Sequence, residues 1–386
     1  MNSLKAHYQS FLSLHPGKIF LTAHSHHFWP DCTLQAQQEY WWDAARYIDD
    51  KWEKAIFPQI LKWQTQMSKF LPSTHAASLT FAPNTHYFIV NLLADLVYFK
   101  KPQVLTSDSE FHSFSRQIQR LAEDNLVDVD RVSTLSDAHF SQRFLQQASQ
   151  GQYDLIFLSH VFFNSGLIVP HLDQFIKELR QLQPTAKIVI DTYHSFMAIN
   201  YSYEKIISEV YLIGGGYKYA QGGEGWCWMH LPPQAPSRPI LTGWMSSFES
   251  LEHPRTPLHY SDQGLGYLSS TFEASALYRQ VAVFDWMISE ALNVETICQY
   301  TEMLKQAFAK IVVKTPLLPP HLVGNFLTYE FSSLAEAEKK HHLLREKNVF
   351  TDRRMNRIRI GFPPYYDLAE IEQAARLFNQ ICLDQI

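Results

Sequence analysis

The sequence has few cysteines, little net charge and no long apolar run. The four cysteines, Cys32, Cys227, Cys298 and Cys382, show no Cys-x-x-Cys spacing. A disulfide framework or a structural zinc site is therefore not expected, and a cytoplasmic location fits best. The formal net charge is −5 and no run of basic residues stands out, so we expect no nucleic-acid surface.

Apolar segments long enough for a membrane are also missing. The longest apolar run, residues 88–99, contains Asn91 and Asp95, which makes it too short and too polar to span a bilayer. Near the N-terminus, Lys, His and Gln interrupt the apolar residues, so no signal peptide is expected. We therefore expect no membrane partner.

Core-forming residues, by contrast, are plentiful. Hydrophobic residues make up 46% of the 386 positions and aromatic residues 14%, which excludes a disordered chain. The length exceeds that of a usual single domain. We predict a large domain over residues 15–250 and a small C-terminal domain over residues 251–386, with residues 1–14 packing on the small one.

The large domain shows an α/β pattern, in which short apolar runs alternate with helical segments. Strands are predicted at 104–106, 154–159, 187–191, 206–213 and 226–231, and helices at 34–70, from about 113, and at 172–182. This alternation favours a mostly parallel sheet covered by helices on both faces. The tail has strands at 325–331 and 357–361 and helices at 272–292, 334–347 and 368–382, which is typical of a small α+β domain.

The most informative feature is a lysine that follows an earlier aspartate. Lys218 lies in the run Gly-Gly-Gly-Tyr-Lys-Tyr at 214–219, and Asp191 ends an Ile-Val-Ile run. Glycines let a ligand approach the backbone, and ligands bind at the carboxyl ends of parallel strands. A Schiff-base lysine and an acid under the ring nitrogen are the pair that pyridoxal phosphate (PLP) enzymes use. We therefore predict a PLP site with Lys218 and Asp191 as catalytic residues. The alternatives are that Lys218 is a solvated surface lysine and that Asp191 is an ordinary helix cap.

Two further segments are candidates for contacts with that cofactor. Asn84, Thr85 and His86 precede an apolar helix, whose free N–H groups suit a phosphate, although an ordinary helix cap fits the same residues. His194, three positions after Asp191, is either a cofactor contact or a packed core histidine.

An aromatic ring and an arginine complete the candidate residues. Phe111 or His112 could stack on the cofactor ring, and their spacing does not decide between them; core packing is the alternative for Phe111. Arg359 lies in a strand of alternating basic and apolar residues. Its guanidinium could bind a substrate carboxylate through two parallel hydrogen bonds, whereas a surface ion pair is the alternative.

Together these residues resemble the class V aminotransferase superfamily of PLP-dependent enzymes (fold type I), and within it kynureninase. The likeness is strongest in Asp-Thr-Tyr-His-Ser at 191–195 and Gly-Tyr-Lys-Tyr-Ala-Gln-Gly-Gly-Glu-Gly at 216–225. It implies that Lys218 carries the cofactor, that Asp191 pairs with the pyridine nitrogen and that Tyr217 binds the phosphate. It also implies a seven-stranded sheet and a homodimer with the active site at the interface.

Shorter matches extend the resemblance along the chain. Residues 20–25 look like the N-terminal region of the family, which implies that His24 and Ser25 contact the substrate. Gly-Trp at 243–244 implies that Trp244 lies near the cofactor, and Thr271 falls where a neighbouring subunit commonly reaches the phosphate. The run at 349–354, followed by Arg359, is similar to the kynureninase pattern with a carboxylate-binding arginine.

The reaction is less well defined than the scaffold. We expect an α-amino acid substrate that forms an external aldimine, most simply for amino-group transfer. Alternatives are kynureninase-like hydrolysis of a β–γ carbon–carbon bond and a catalytically silent PLP-fold binding protein. Cysteine desulfurases of the same superfamily carry a nucleophilic cysteine on the loop before the carboxylate-binding arginine. Residues 301–359 contain no cysteine, so this activity is disfavoured. The close histidines His24, His26 and His27 lack a carboxylate or cysteine companion, so no metal site is predicted.

Overall fold

The fold is that of a computed structural model, which describes residues 1, 3–134, 137, 139–251 and 256–383. The helices are α1 Gln9–Ser13, α2 Cys32–Tyr47, α3 Phe57–Phe70, α4 Thr85–Val97, α5 His112–Glu123, α6 Phe140–Ala148, α7 Leu172–Leu182, α8 Ser275–Ser289, α9 Val294–Ile311, α10 Leu334–Glu346 and α11 Leu368–Leu383. Within the described ranges, no helix is long and apolar enough to cross a membrane.

The described residues contain twelve strands in three sheets. They are β1 Ile19–Phe20, β2 Leu79–Ala82, β3 Gln103–Ser107, β4 Asp128–Val132, β5 Leu155–Ser159, β6 Lys187–Asp191, β7 Tyr211–Gly215, β8 Cys227–His230, β9 Phe326–Glu330, β10 Val349–Phe350, β11 Asp352–Arg354 and β12 Arg357–Gly361. The main sheet has the order β2-β8-β7-β6-β5-β3-β4, and only β8 runs antiparallel to its neighbours. The predicted α/β class with a mostly parallel seven-stranded sheet is thus confirmed.

The main sheet separates two apolar cores, which explains why its strands read as continuous apolar runs. Along β5, Ile156 and Leu158 belong to one core, whereas Leu155 and Phe157 belong to the other. Successive side chains of a strand point to opposite faces, so both faces need apolar residues when helices cover both. Helix α7 packs into one core through Leu172, Phe175, Ile176 and Leu179. Helices α4 and α5 pack into the other core.

The C-terminal part contains the antiparallel sheet β11-β12-β9. The N-terminal strand β1 pairs in parallel with β10, and the Lys5 ammonium lies 2.8 Å from the Glu370 carboxylate, so the first residues contact the C-terminal part. The domain boundary predicted between residues 250 and 251 stays a prediction; it lies beside residues 252–255, which are outside the described part.

Several predicted elements differ in extent from the observed ones. The predicted helix at 34–70 is divided by a short irregular helical segment, because Ile48 has a left-handed backbone (φ 50°) that ends α2. The strand predicted at 206–213 begins only at Tyr211. The sequence patterns do not predict the elements β1, β2, β4, β10, β11, α1, α6 and α9.

Close packing at the end of β7 gives the first testable prediction. A Cβ built on Gly214 would lie 2.8 Å from Thr192 Oγ1 and 2.8 Å from the Trp228 ring, all of them buried. We expect Gly214→Ala to lower the free energy of unfolding by about 1–3 kcal/mol, measured by urea denaturation. Gly151→Ala is the control, since its nearest new contact is an ordinary 3.5 Å. Equal stability of the two variants would contradict the packing described.

Candidate active site

A cavity of about 250 Å³ opens at the carboxyl ends of the central strands. Ser159 and Asp191, the last residues of β5 and β6, are paired in register, and both line it. Parallel strands end at the same edge of the sheet, where ligands of such folds bind. The predicted site residues that line the cavity are His24, Ser25, Asn84, Thr85, Phe111, Asp191, His194, Tyr217, Lys218 and Arg359. The predicted residues His86, His112, Trp244 and Thr271 lie outside it.

Lys218 is a buried amine in contact with neutral groups. Its Nζ lies 2.8 Å from His194 Nε2 and 4.8 Å from the centre of the Tyr193 ring. Burial lowers the pKa of Lys218 far below that of an ordinary lysine, while the Asp191 carboxylate opposes this shift. Burial, and then the charge of Lys218, also lower the pKa of His194. The arrangement holds a nucleophilic amine beside a neutral imidazole, so the surface-lysine alternative is excluded.

Asp191 is a carboxylate with spare hydrogen-bonding capacity. Its Oδ1 accepts a hydrogen bond of 2.8 Å from the Tyr193 N–H, which makes a local turn after β6. Burial raises the pKa of Asp191, and its peptide hydrogen bond and Lys218 counteract the rise. Within the described ranges no side chain donates a hydrogen bond to this carboxylate. An acid that lines a cavity with an oxygen unpaired by protein side chains suits the N–H of a pyridine ring.

The start of α4 forms another wall of the cavity. Asn84 is the N-cap residue, and its Oδ1 accepts a 3.0 Å hydrogen bond from Tyr87 N–H. Asn84 and Thr85 also line the cavity, so the residues that begin the helix form part of the cavity wall. His86 instead contacts Gln117 on α5 with its Nε2 at 3.1 Å. The helix start, rather than His86, is placed to meet a phosphate.

The structure separates the two candidates for the stacking ring. Phe111 lines the cavity with its ring centre 5.6 Å from Lys218 Nζ. His112 is the first residue of α5 and packs against Phe111 and Phe163, with ring centres 5.5 and 5.2 Å away. The position therefore favours Phe111, whose side chain is 39% exposed and so is not an ordinary core residue.

Arg359 also lines the cavity and is 2% exposed. Its Nε and Nη2 donate to Asp352 Oδ2, and its Nη1 donates to the Phe163 carbonyl oxygen. A guanidinium has five N–H groups, so one donor on Nη1 and one on Nη2 remain for a carboxylate. Arg354 lines the same side, with Nη2 3.5 Å from Asp352 Oδ1. The surface ion pair considered from sequence is thus excluded by burial.

The three close histidines point to different places. His24 is fully buried, stacks on the Phe326 ring at 4.7 Å and lines the cavity together with Ser25. His26 contacts Tyr217 edge-on at 5.6 Å, and His27 Nδ1 lies 2.7 Å from the Phe28 carbonyl oxygen. In the described part of the chain, no cluster of His, Cys, Asp or Glu forms a metal-binding group.

Trp244 and Thr271 lie together but away from this cavity. The Trp244 indole Nε1 donates a 3.0 Å hydrogen bond to Thr271 Oγ1, and its ring packs edge-on against Trp52 at 5.1 Å. Within a single chain they therefore do not contact a cofactor in the cavity. Their predicted cofactor roles stay predictions that require a second copy of the chain.

Glu110 is a buried acid beside the cavity that the sequence patterns do not single out; it bonds to Ser159, which lines the cavity. It is 3% exposed, and hydrogen bonds of 2.5 Å link its two oxygens to Ser107 and Ser159 Oγ. Burial, with a smaller contribution from the charge of Asp191, raises the pKa of Glu110 to about 8. Ser159 could have been predicted as a site residue because it ends a strand. Its contact with Glu110 could not, because Glu110 lies 49 positions earlier in the chain.

A cysteine also lines the cavity. Cys227 begins β8, is buried, and has its Sγ 3.6 Å from Tyr193 Oη. Burial raises the pKa of the Cys227 thiol to about 12. Because the thiolate is the reactive form of cysteine, this residue lacks the environment of a nucleophile.

Comparison with known proteins identifies the family. Residues 31–319 match the family described as Aminotransferase class-V. The chain belongs to this family. The resemblance to class V PLP-dependent enzymes is thereby confirmed, and so, at the level of the family, is the expectation of PLP as cofactor. No curated protein matched the sequence.

Solved structures with the same fold include several enzymes that act on sulfur compounds. A cysteine desulfurase from Thermococcus onnurineus NA1 has a TM-score of 0.80 and 15% identity, with 100% of this chain and 99% of that chain covered. A lysine-to-alanine variant of C-DES, with glycine covalently linked to its PLP cofactor, has a TM-score of 0.80 and 15% identity over 96% and 99%. The cysteine desulfurase CsdA from Escherichia coli has a TM-score of 0.78 and 11% identity over 99% and 98%. Identities this low establish the fold alone.

The lowered pKa of Lys218 predicts unusual reactivity in the cofactor-free protein. We expect pulse acetylation to modify Lys218 with a pH midpoint well below that of the exposed reference Lys177, measured by peptide mass spectrometry. Because the Asp191 carboxylate raises the pKa of Lys218, Asp191→Asn should shift that midpoint lower still. A midpoint for Lys218 equal to that of Lys177 would be inconsistent with this site.

The raised pKa of Glu110 predicts a pH-dependent stability difference. Its folded pKa of about 8 exceeds the ordinary 4.5, so the stability it contributes is complete below pH 4.5 and is lost as the pH rises towards 8. Glu110→Gln carries no charge, so relative to wild type it should gain stability between pH 5 and 8, by at most about 5 kcal/mol. Urea denaturation at pH 5 and pH 8 measures this, with the exposed Glu204→Gln variant as control. If neither variant changes its stability difference from wild type between the two pH values, a raised pKa of Glu110 is excluded.

Proposed function

We propose that this protein is a PLP-dependent enzyme that transfers the amino group of an α-amino acid. The observation that carries the proposal is the buried Lys218 amine, which lies 2.8 Å from His194 in the cavity that Asp191 also lines. Membership of the aminotransferase class-V family supports the proposal. It is also supported by the shared fold with C-DES, whose solved structure holds PLP with glycine covalently linked to it.

The cavity offers a partner for each part of the cofactor. Lys218 would hold it covalently, Asp191 would accept a hydrogen bond from the pyridine N–H and Phe111 would cover one ring face. The start of α4 at Thr85, with Tyr217, would bind the phosphate. When bound, PLP supplies an electron sink that makes the Cα–H bond of an amino acid acidic.

The residues of the chain would then move the proton. Lys218, once free of the cofactor, would take the Cα proton as general base and, as general acid, deliver it to the cofactor carbon bonded to the amino group. Its lowered pKa would let it do both near neutral pH. Asp191 would stabilise a positive charge on the ring nitrogen. His194 holds the amine in place through its 2.8 Å contact.

The substrate side of the cavity favours a carboxylate. Arg359 keeps two N–H groups free beyond its bonds to Asp352 and Phe163. A buried guanidinium whose other donors are satisfied is fixed in orientation, which suits recognition of an α-carboxylate by two hydrogen bonds. Arg354 adds a second positive charge on the same side.

Desulfurase chemistry is not proposed, although desulfurases share the fold. It needs a reactive thiolate, and Cys227, which lines the cavity, has a pKa raised to about 12. A kynureninase-like hydrolase is the second candidate, because Asp352, Arg354 and Arg359 lie together on β11 and β12 as its sequence pattern implies.

The functional unit we propose is a homodimer in the cytoplasm. Trp244 and Thr271 bond to each other outside the cavity of their own chain, so in a dimer they would complete the site of the partner. The four free cysteines are consistent with a reducing compartment.

Single-turnover chemistry tests the proposed reaction. The PLP-bound protein, mixed with one amino acid at a time and no acceptor, should release about one equivalent of 2-oxo acid per active site. Lys218→Ala should slow that release by about 10²-fold or more, whereas Lys177→Ala should not. Release of alanine and anthranilate from kynurenine would favour the hydrolase, and inertness towards every amino acid would leave only the silent binding protein.

A further inference from the structure

A second cleft lies next to the active-site cavity, where strand β1 meets β10. It has a volume of about 730 Å³. The two sites are adjacent because His26, which lines the cleft, contacts Tyr217, which lines the cavity, with ring centres 5.6 Å apart. Thr22, in the wall of the cleft, also bridges to Gly361 at the end of the strand that carries Arg359.

Positive charge is in excess in the cleft, with two cations against one carboxylate. Lys18 and Arg345 line it together with three imidazoles, those of His15, His26 and His342. Among the described residues, Glu346 is the one acidic side chain in its wall. This excess stands out because the whole chain has a formal net charge of −5.

The two cations converge on one aromatic ring. Lys18 Nζ lies 5.8 Å and the Arg345 guanidinium 5.1 Å from the centre of the Phe350 ring. Within the described ranges neither forms a salt bridge. Phe20 stacks on Phe350 at 4.3 Å, which fixes the ring between the strands. Each cation thus lies by the same ring without a salt bridge, so an anion bound beside that ring would be stabilised by both charges.

Hydrogen-bonding groups in the wall support the same conclusion. His15 Nδ1 is buried and has no hydrogen-bond partner among the described residues. Thr22 and Thr351 also line the wall, but their hydroxyl groups are already bonded, to the His26 carbonyl oxygen at 3.0 Å and to His341 Nδ1 at 2.9 Å. A buried polar atom without a partner costs free energy that a ligand can recover. An ordinary solvated charged surface would not bury such an atom.

We infer that this cleft binds an anionic group, phosphate or carboxylate, beside the active site. Lys18 and Arg345, which both lie by the Phe350 ring, supply the charge, and His15 Nδ1 supplies a hydrogen bond. The anionic group belongs either to the far end of a substrate or to a separate small molecule. Binding itself does not depend on the reaction proposed above.

Titration with inorganic pyrophosphate tests the cleft. The PLP-bound protein, whose own phosphate site is filled, should bind pyrophosphate saturably in isothermal titration calorimetry, and more weakly as salt increases. The double variant Lys18→Gln/Arg345→Gln should raise the Kd by at least about tenfold. The charge-preserving variant Lys18→Arg/Arg345→Lys should bind within a few-fold of wild type.

The matched control removes two cations of the same type elsewhere. Lys51 and Arg238 each lie over an aromatic ring, Trp52 at 5.6 Å and Tyr260 at 5.2 Å. Lys51→Gln/Arg238→Gln should therefore leave the Kd unchanged. Equal affinity of the two glutamine double variants, or no saturable binding to wild type below about 1 mM, would overturn the inference.

Turnover then identifies the source of the anion. If it is part of the substrate, the Lys18→Gln/Arg345→Gln variant should lose kcat/KM only for amino acids with an acidic or phosphorylated side chain, and pyrophosphate should compete with them. If it is a separate molecule, pyrophosphate should change alanine turnover in wild type but not in that variant. Failure of every turnover would contradict the proposed function, while the calorimetric result would still decide on the cleft.

Discussion

The site depends on one constraint, a lysine amine buried without a full counter-charge in direct contact. An ammonium taken out of water is costly, so the chain shifts the balance towards the neutral amine. The contact of 2.8 Å with the His194 ring orients Nζ without adding charge, because burial also keeps that imidazole neutral. The sheet supplies the burial, and its strand ends supply the polar groups. The rings of Tyr193 and Phe111 also lie near this amine, with centres 4.8 and 5.6 Å from Nζ.

Two buried carboxyl groups at this edge of the sheet hold their protons with different strength. Burial raises the pKa of Asp191 to about 6, and the Tyr193 peptide N–H and the charge on Lys218 oppose that rise. Burial raises the pKa of Glu110 to about 8, although Ser107 and Ser159 donate hydrogen bonds to it. As the pH rises, Asp191 therefore ionises before Glu110. Environments that separate the pKa values of two carboxyl groups are how proteins assign them distinct roles.

Local pattern allowed much of the fold and part of the site to be predicted. Asp191, His194 and Lys218 stand at strand ends or turns, which their apolar and glycine neighbours mark. Local pattern was therefore enough to single them out as candidates for one site. Spacing could not choose between Phe111 and His112, because the choice depends on the residue at which α5 begins. Contacts between distant segments, such as that of Glu110 with Ser159, leave no periodic signal. Helix α9 was missed although an Asn293 capping box marks its start.

Residues on two sheets line the cavity. Asp191 ends β6 of the main sheet and Lys218 follows β7, whereas Arg359 lies on β12 of the three-stranded sheet. Backbone contacts beside the cavity join the two parts: Gly324 N–H donates to the Gly166 carbonyl oxygen at 2.9 Å, and Leu167 bridges to Val323. These four residues do not line the cavity themselves. A substitution among them would therefore alter the width of the cavity without replacing any residue that faces a ligand.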